Sequence, residues 1–328
     1  MSLHIRPARI EDMARIQAIT REGSRGLYDE ATLECMPKVW STLLRERRLE
    51  LHLFEDHALP PSQRVQGVAS GGFVQPDFAQ SLLQVLQPGV AQRVMRSEID
   101  GPRLLLTPAE AAAANGAEGL WSLGLDFAFV KQDWSLGTLL RWAPLLVESM
   151  RIWLDGWRLQ GGMRELIGRD LFVTARAMGT PVFHRLLRQD GRRLPSRERR
   201  YLVGMTRRQA DKLPAALASM MFFSRREPML GFSPAEQELL ALALRTAGDE
   251  ACAAALGISP HTVKMRWRGI FQRLESSHPE LLGLGSEAPS PDMAERGDDA
   301  RRGPEKRRHL LAYLRQHMEE VRPRRPPP

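Results

Sequence analysis

The sequence predicts a multidomain α+β/α protein: an N-terminal α/β unit with a mixed sheet and flanking helices, then an all-α C-terminal domain. Three observations carry this reading. Up to about residue 208, short apolar runs of strand character alternate with stretches whose apolar residues recur every three or four positions. After Phe232 such runs stop, and helices follow one another with capping residues in place. At 328 residues the chain is long enough for two cores.

In order, Leu3–His4–Ile5–Arg6 reads as a short strand ended by Pro7. Glu11 and Asp12 open a helical pattern in which Met13, Ile16 and Ile19 share one face, with the acids at the positive end of the helix dipole. A second helical stretch runs from Val39 to Arg48, then a strand over Leu49–Phe54, a turn at Pro60–Pro61–Ser62, and a small-residue strand from Val65 to Val74. Residues 76–118 are punctuated by Pro88–Gly89 and Gly101–Pro102, with a short Ala-rich helix at Ala109–Ala114. A buried strand follows over Leu120–Val130. Next comes a long amphipathic helix over Leu139–Trp157, which Pro144 should kink or start. Strands at Arg164–Phe172 and Arg200–Met205 flank a helix around Thr174–Leu187.

Composition narrows the function classes. There are 47 Lys and Arg against 39 Asp and Glu, a formal charge of +8, and only five of the cations are Lys. That raises the prior for nucleic acid only modestly; position matters more than sum. No apolar run approaches the length of a membrane span, which takes about 18 residues. The first residues, MSLHIRPARIEDMARI, lack the apolar core of a secretory leader, so a cytoplasmic protein with no membrane partner is expected. Cys35 and Cys252 are too few and too far apart for a disulfide framework or a Cys-based zinc site. The histidines lack metal-ligand spacing with nearby carboxylates, so packed or solvated imidazoles are expected and no metal. Ser70–Gly71–Gly72 lacks P-loop spacing, and no G-x-S-x-G nucleophile element occurs. Trp121, Trp134, Trp142, Trp153 and Trp157 fit core packing, with an aromatic-lined effector pocket as the sharper alternative.

Residues 232–276 carry the strongest signal. Ser233, Pro234 and Glu236 form a capping box ahead of an apolar face of Leu239, Leu240, Ala243 and Leu244. Thr246–Ala247–Gly248 breaks that helix. Asp249 is read as the cap of a short alanine-rich helix, and Gly257 ends it where a left-handed residue is needed. Ser259 caps a third helix, with Pro260 at its first position. On that helix Val263, Trp267, Ile270, Phe271 and Leu274 form one apolar stripe, and Thr262, Lys264, Met265, Arg266, Arg268 and Arg273 lie off it. Short helix, Gly turn and capped helix with a basic outer side is a helix-turn-helix pattern fit for a major groove.

The run Leu256–Gly257–Ile258–Ser259–Pro260–His261–Thr262–Val263–Lys264, followed by Ile270–Phe271–Gln272–Arg273–Leu274, resembles the LuxR-type helix-turn-helix of bacterial transcriptional regulators. The resemblance spans about 43 residues and departs at Thr246, at Ala251–Cys252–Ala253 and at Ala235. It implies that Lys264, Met265 and Arg268 face base edges while Ser259, Thr262, Arg266 and Arg273 hold phosphates. It also implies a homodimer on double-stranded DNA, with no cofactor and no catalytic residue. Residues 277–303 then read as a flexible insertion. Residues 304–322 read as a displaced fourth helix, with Leu311, Leu314, Met318 and Val321 on one side; a free basic amphipathic helix is the alternative. Residues 323–328 read as a disordered tail, and 209–231 as a linker.

The opening HIRPARIEDMARIQAI, the strand VQGVASGGFV and the later strand–helix order weakly resemble the GNAT acetyltransferase fold over residues 1–208. In that family a glycine-rich loop after the fourth strand offers its amides to a pyrophosphate. The matching stretch, 129–138, has Gln132 and Gly137 but not the paired glycines, and Asp133 would repel phosphate. The expectation is a degenerate GNAT-like domain that dimerises or senses an unknown small-molecule effector. The alternatives are an acetyltransferase-like enzyme with an appended DNA-binding module, and a sigma-factor-like promoter element. Neither an autoinducer-binding domain nor a phosphoacceptor receiver fits the N-terminal half. From Arg185 to Arg208 nine Arg face only Asp190 and Glu198, a solvated surface or an anion-facing one. From Phe232 onward fifteen Lys and Arg meet fourteen Asp and Glu, so the evidence for DNA contact is positional.

Overall fold

The computed structural model describes residues 3–323 except 25, 86, 131–135, 178, 187–192, 196–197, 214–222, 224–227, 246–247 and 285–298. The chain divides into two compact units, Met1–Ser224 and Arg225–Pro323.

The first unit is a mixed α/β sheet with helices on both faces. Its strands are β1 (Leu3–Pro7), β2 (Glu50–Asp56), β3 (Val65–Val74), β4 (Leu120–Phe129), β5 (Leu159–Ile167), β6 (Val182–Arg185) and β7 (Arg200–Thr206). They lie in the order β1-β2-β3-β4-β5-β7-β6. Every neighbouring pair is antiparallel except β4 with β5. A parallel pair needs a crossover, and the helix α6 (Leu136–Leu154) supplies it. The helices α1 (Met13–Gly23), α2 (Glu30–Arg45) and α4 (Val90–Asp100) cover one face. There Ile16, Ile19, Trp40, Leu43, Val94 and Met95 pack with Leu51, Leu53, Trp121 and Leu123. On the other face α6 sets Trp142 and Leu145 against Phe54 and Phe129, and Trp153 and Leu154 against Phe73, Leu120 and Leu159. The small residues of β3 have a packing reason: a Cβ at Gly71 would lie 2.1 Å from the Trp153 ring.

Several expected boundaries move. The second helix begins at Glu30 rather than Val39, because Asp29 caps it by accepting from the Thr32 amide at 2.9 Å, and Pro37 sits inside it. Between 76 and 118 there are three helices: α3 (Pro76–Gln84), α4, and α5 (Pro108–Gly116). Pro144 lies within α6 rather than at its start. The strand expected from Arg164 runs from Leu159, so Arg164 is mid-strand. The helix expected around 174–187 is α7 (Arg169–Ala177), and its second half is instead β6, paired with β7. Of the segment read as a linker, the described start is the short helix α8 (Arg207–Lys212), capped by Thr206.

The second unit is all-helical among its described residues. Its helices are α9 (Pro234–Ala243), α10 (Asp249–Leu256), α11 (Pro260–Ser277) and α12 (Asp299–Gln316), with 3-10 turns at Pro279–Leu282 and Met318–Val321. The Ser233 hydroxyl accepts from the Glu236 amide, and the Glu236 carboxylate accepts from the Ser233 amide at 2.8 Å. Gly257 ends α10 with φ 64°, a left-handed value that glycine adopts cheaply. Asp249 does not cap α10: Gly248 holds the cap position, and Asp249 is the first helical residue. One core joins Leu239, Leu240, Cys252, Val263, Trp267, Ile270 and Leu274 to Leu310, Leu314, Met318 and Val321. The terminal helix therefore belongs to this unit. Its apolar side, with Leu310 rather than Leu311 fully buried, is inside the protein, which overturns the free amphipathic helix. Buried Glu320 ties the ends together: its carboxylate accepts from the amides of Met229 (2.7 Å) and Leu230 (3.0 Å). Among the described residues no helix is long and apolar enough to cross a membrane.

Candidate functional sites

Helix α11 is built so that one side is locked and the other is free. Ser259 caps it by accepting from the Thr262 amide at 3.1 Å, and the two hydroxyls lie 2.9 Å apart. Val263, Trp267, Ile270 and Leu274 are buried. Lys264, Met265 and Arg268 are exposed, Met265 by 50%. Neither Lys264 nor Arg268 has a hydrogen bond or ion pair among the described residues. Gly269, one position beyond Arg268 and one turn beyond Met265, is exposed, and a Cβ built there meets nothing within 4 Å. A mid-helix glycine costs about 1 kcal/mol against alanine, and without a Cβ it leaves the exposed side open to close approach. Helix propensity treats that residue as a defect, which is why the sequence reading passed over it.

The residues expected on phosphates differ in what they already hold. Arg266 donates weakly to the Ala235 carbonyl at 3.4 Å. Arg273 pairs with Glu236 at 3.1 Å, and its guanidinium lies 5.3 Å above the Phe232 ring. Burial pushes the Glu236 carboxyl up, but the Ser233 amide and Arg273 outweigh it and hold the carboxyl below its usual range. A phosphate would reach Arg273 only by displacing Glu236. The pair is partly exposed, so that exchange is inexpensive, ~1 kcal/mol. From α12, Arg307 pairs with Asp249 at 2.7 Å and lies 4.6 Å over Trp267, fixing α10 against α11. Lys306 pairs with Glu275 at 2.8 Å.

The first unit offers a different kind of site. β4 and β5 pair only from Leu120↔Leu159 to Gly124↔Arg164. Beyond that point β4 continues to Phe129 beside β3, and β5 continues to Ile167 beside β7. The carboxyl ends of the sheet's one described parallel pair thus part, and such a switch in strand direction is where open α/β sheets place ligands. An irregularity sharpens the parting: Ser70 pairs with Asp126 and Gly71 with Gly124, so Leu125 is an extra residue in β4.

Around the parting lie buried polar groups. Thr20 donates to Asp126 at 2.7 Å, and the Phe127 amide donates to its other oxygen at 2.7 Å. Burial dominates and pushes the Asp126 carboxyl up to about 6. Tyr28 donates to the Leu125 carbonyl at 3.3 Å. Glu165 accepts from the amides of Gly89 and Val90 and pairs with Arg200 at 3.0 Å. The loop expected to face a pyrophosphate is largely outside the described residues, Gln132 and Asp133 included, and so are Thr246–Ala247, Trp134, most of the insertion and the tail. Arg188, Arg192 and Arg197 of the Arg-rich stretch lie outside them too, while Arg200 is taken up by Glu165. The described tryptophans pack as core: Trp142 lies 5.2 Å from Phe129, and Trp157 lies 5.1 Å from Phe73. Buried His52 is held by Ser149 at 2.8 Å.

No sequence-family model matches the chain, and no curated protein does. Solved structures similar to part of it include the spermidine N-acetyltransferase of Vibrio cholerae, at 8% identity over 66% of this chain and 98% of that one, with a TM-score of 0.37. Another is Arabidopsis thaliana NAA60 in complex with a bisubstrate analogue, at 13% identity over 62% and 97%, with a TM-score of 0.38. A third is the ribosomal-protein-S5-alanine acetyltransferase of Vibrio fischeri, at 9% over 63% and 93%, with a TM-score of 0.37. Likenesses this distant assign neither a fold family nor an activity, and the LuxR-type resemblance rests on this chain's own residues.

Proposed function

We propose that this chain is a DNA-binding regulator of the LuxR type. In this reading α11 enters the major groove of duplex DNA, and the first unit, a degenerate GNAT-like sheet, senses a ligand or dimerises. The observation that carries it is the state of α11: a stripe sealed into the core, and opposite it two cations with no partner among the described residues. Lys264, Met265 and Arg268 read bases. Ser259, Thr262, Arg266 and Arg273 flank them toward phosphate. A homodimer would bind half-sites about one helical turn apart. Genome-wide DNA capture followed by anisotropy titration of the recovered site tests this. Arg268→Ala is expected to weaken specific binding by about 1–3 kcal/mol. Unchanged affinity would remove α11 from the interface.

One observation favours a second reading, an acetyltransferase-like enzyme: the parting of the parallel pair β4 and β5, which could admit an acyl-CoA. Calorimetry with acetyl-CoA separates the two. Tight binding followed by acyl transfer to an amine would establish the enzyme; an absence of heat would leave the first unit as a sensing domain.

A further inference from the structure

Arg164 lies midway along β5, at the last paired position before the strands part. Its stem crosses Gly124, where a Cβ would sit 3.2 Å from the Arg164 Cβ. Its guanidinium lies 5.1 Å over the Phe127 ring. Among the described residues it makes no ion pair, and its Nε is buried without a hydrogen-bond partner. Asp126 acts on it only through space, and burial lowers the Arg164 guanidinium to about 10. The two carboxylates that could have answered it are spent elsewhere. Asp126 is held by Thr20 and the Phe127 amide, and Glu165 by Arg200 and the start of α4.

Arg164 is part-buried, and a guanidinium so placed loses hydration that folding normally recovers through a carboxylate and full hydrogen bonding. Here the described residues supply an aromatic surface and no ion-paired anion. The surroundings limit what could complete it. One cation balances one negative charge, and Asp126 beside it would oppose a second. Phe127 adjoins Phe129 at 5.1 Å and Phe54 at 6.4 Å, an aromatic wall on the same face. We infer that the opening between β4 and β5 binds a small monocarboxylate with an apolar body, its carboxylate on Arg164 and its body along Phe127. This rests on reading the first unit as a sensing domain, and it gives that domain a ligand class.

The test uses the full chain with two probes, phenylacetate and inorganic phosphate, followed by calorimetry and thermal melting. Phenylacetate is expected to bind and raise the melting temperature, and phosphate to do neither. Arg164→Met should weaken phenylacetate at least tenfold while raising the melting temperature of the unliganded protein, because an unanswered charge is removed. Arg164→Lys should retain part of the binding. Four results would overturn the inference: no binding of either anion, preference for phosphate, full binding by Arg164→Met, or a lower unliganded melting temperature in that variant. Capture of genomic DNA by the same preparation is scored separately. A protein that holds DNA and ignores both anions sinks the ligand class alone.

Discussion

Arg164 and Arg307 each lie over an aromatic ring, at 5.1 Å from Phe127 and 4.6 Å from Trp267. They differ in what completes the contact. Arg307 has Asp249 at 2.7 Å, whereas Arg164 has no ion pair among the described residues. The helical unit answers its structural cations internally: Arg273 with Glu236, Lys306 with Glu275, Arg307 with Asp249. Lys264 and Arg268 stand outside that scheme on the exposed side of α11. In each unit, then, the candidate binding cation is one that the described residues leave unanswered. The difference is solvation. Water carries Lys264 and Arg268 at little cost, while the buried Nε of part-buried Arg164 weighs on stability.

The largest effect expected is on the seat of Arg307. Leu314→Ala removes a fully buried side chain that α12 contributes to the second core, and it should cost about 2–5 kcal/mol. Denaturant unfolding should show the loss, and specific DNA binding should fall with it. If binding survives unfolding of α12, the paired cations of the helical unit do not hold α11 in place for DNA. Next is Asp126, whose charge acts on Arg164 through space. Its folded pKa of about 6 lies above the ordinary 3.8, so the native state holds more protons between those values and stability falls as pH rises through that window. Asp126→Asn removes that titration, so the variant is expected to gain stability relative to the wild type as pH rises from about 4 to 7, beside a constant cost because an amide nitrogen cannot accept from Thr20 or the Phe127 amide. A difference in melting temperature that does not change with pH would show that the Asp126 charge is relieved in some other way.

A smaller effect sharpens the solvated side. Gly269→Ala should stabilise α11 by about 1 kcal/mol and at the same time weaken DNA binding by inserting a methyl beside Arg268. Melting and anisotropy should move in opposite directions, and if both improve, Gly269 faces no partner. Smallest is Arg273→Ala. Losing a part-exposed pair should cost only ~0.5–1 kcal/mol, and a phosphate role would add a drop of about one in the salt slope.

Much of the helical unit was legible because its signals are local. Ser233, Gly257 and Ser259 fix helix ends through their own backbone geometry, and those positions need no knowledge of the tertiary fold. The limits of β3 were also readable, since small residues bounded by Pro and charged turns leave little choice. Helices α3 and α4 were obscured by Pro88–Gly89, although Val90, Ala91, Val94 and Met95 already trace one face. Strand β6 has only four residues, VFHR, and exists by pairing with β7, so a local reading absorbs it into the preceding helix. The site at Arg164 could not be read at all. An arginine in an apolar run looks like a strand beginning, and only the register of β4 on β5 reveals that the strands separate just beyond it.

The position of Glu320 has a consequence in time. Its carboxylate closes on Met229 and Leu230, some ninety residues earlier, and Val321 completes the same core. The segment that begins the unit is thus held by the segment that ends it. During synthesis α9, α10 and α11 emerge without the side chains that seal them, and their apolar stripe stays open until residue 321 has left the ribosome. A transcript cut short before that codon would yield a protein carrying all of α11 without the side chains that seal it.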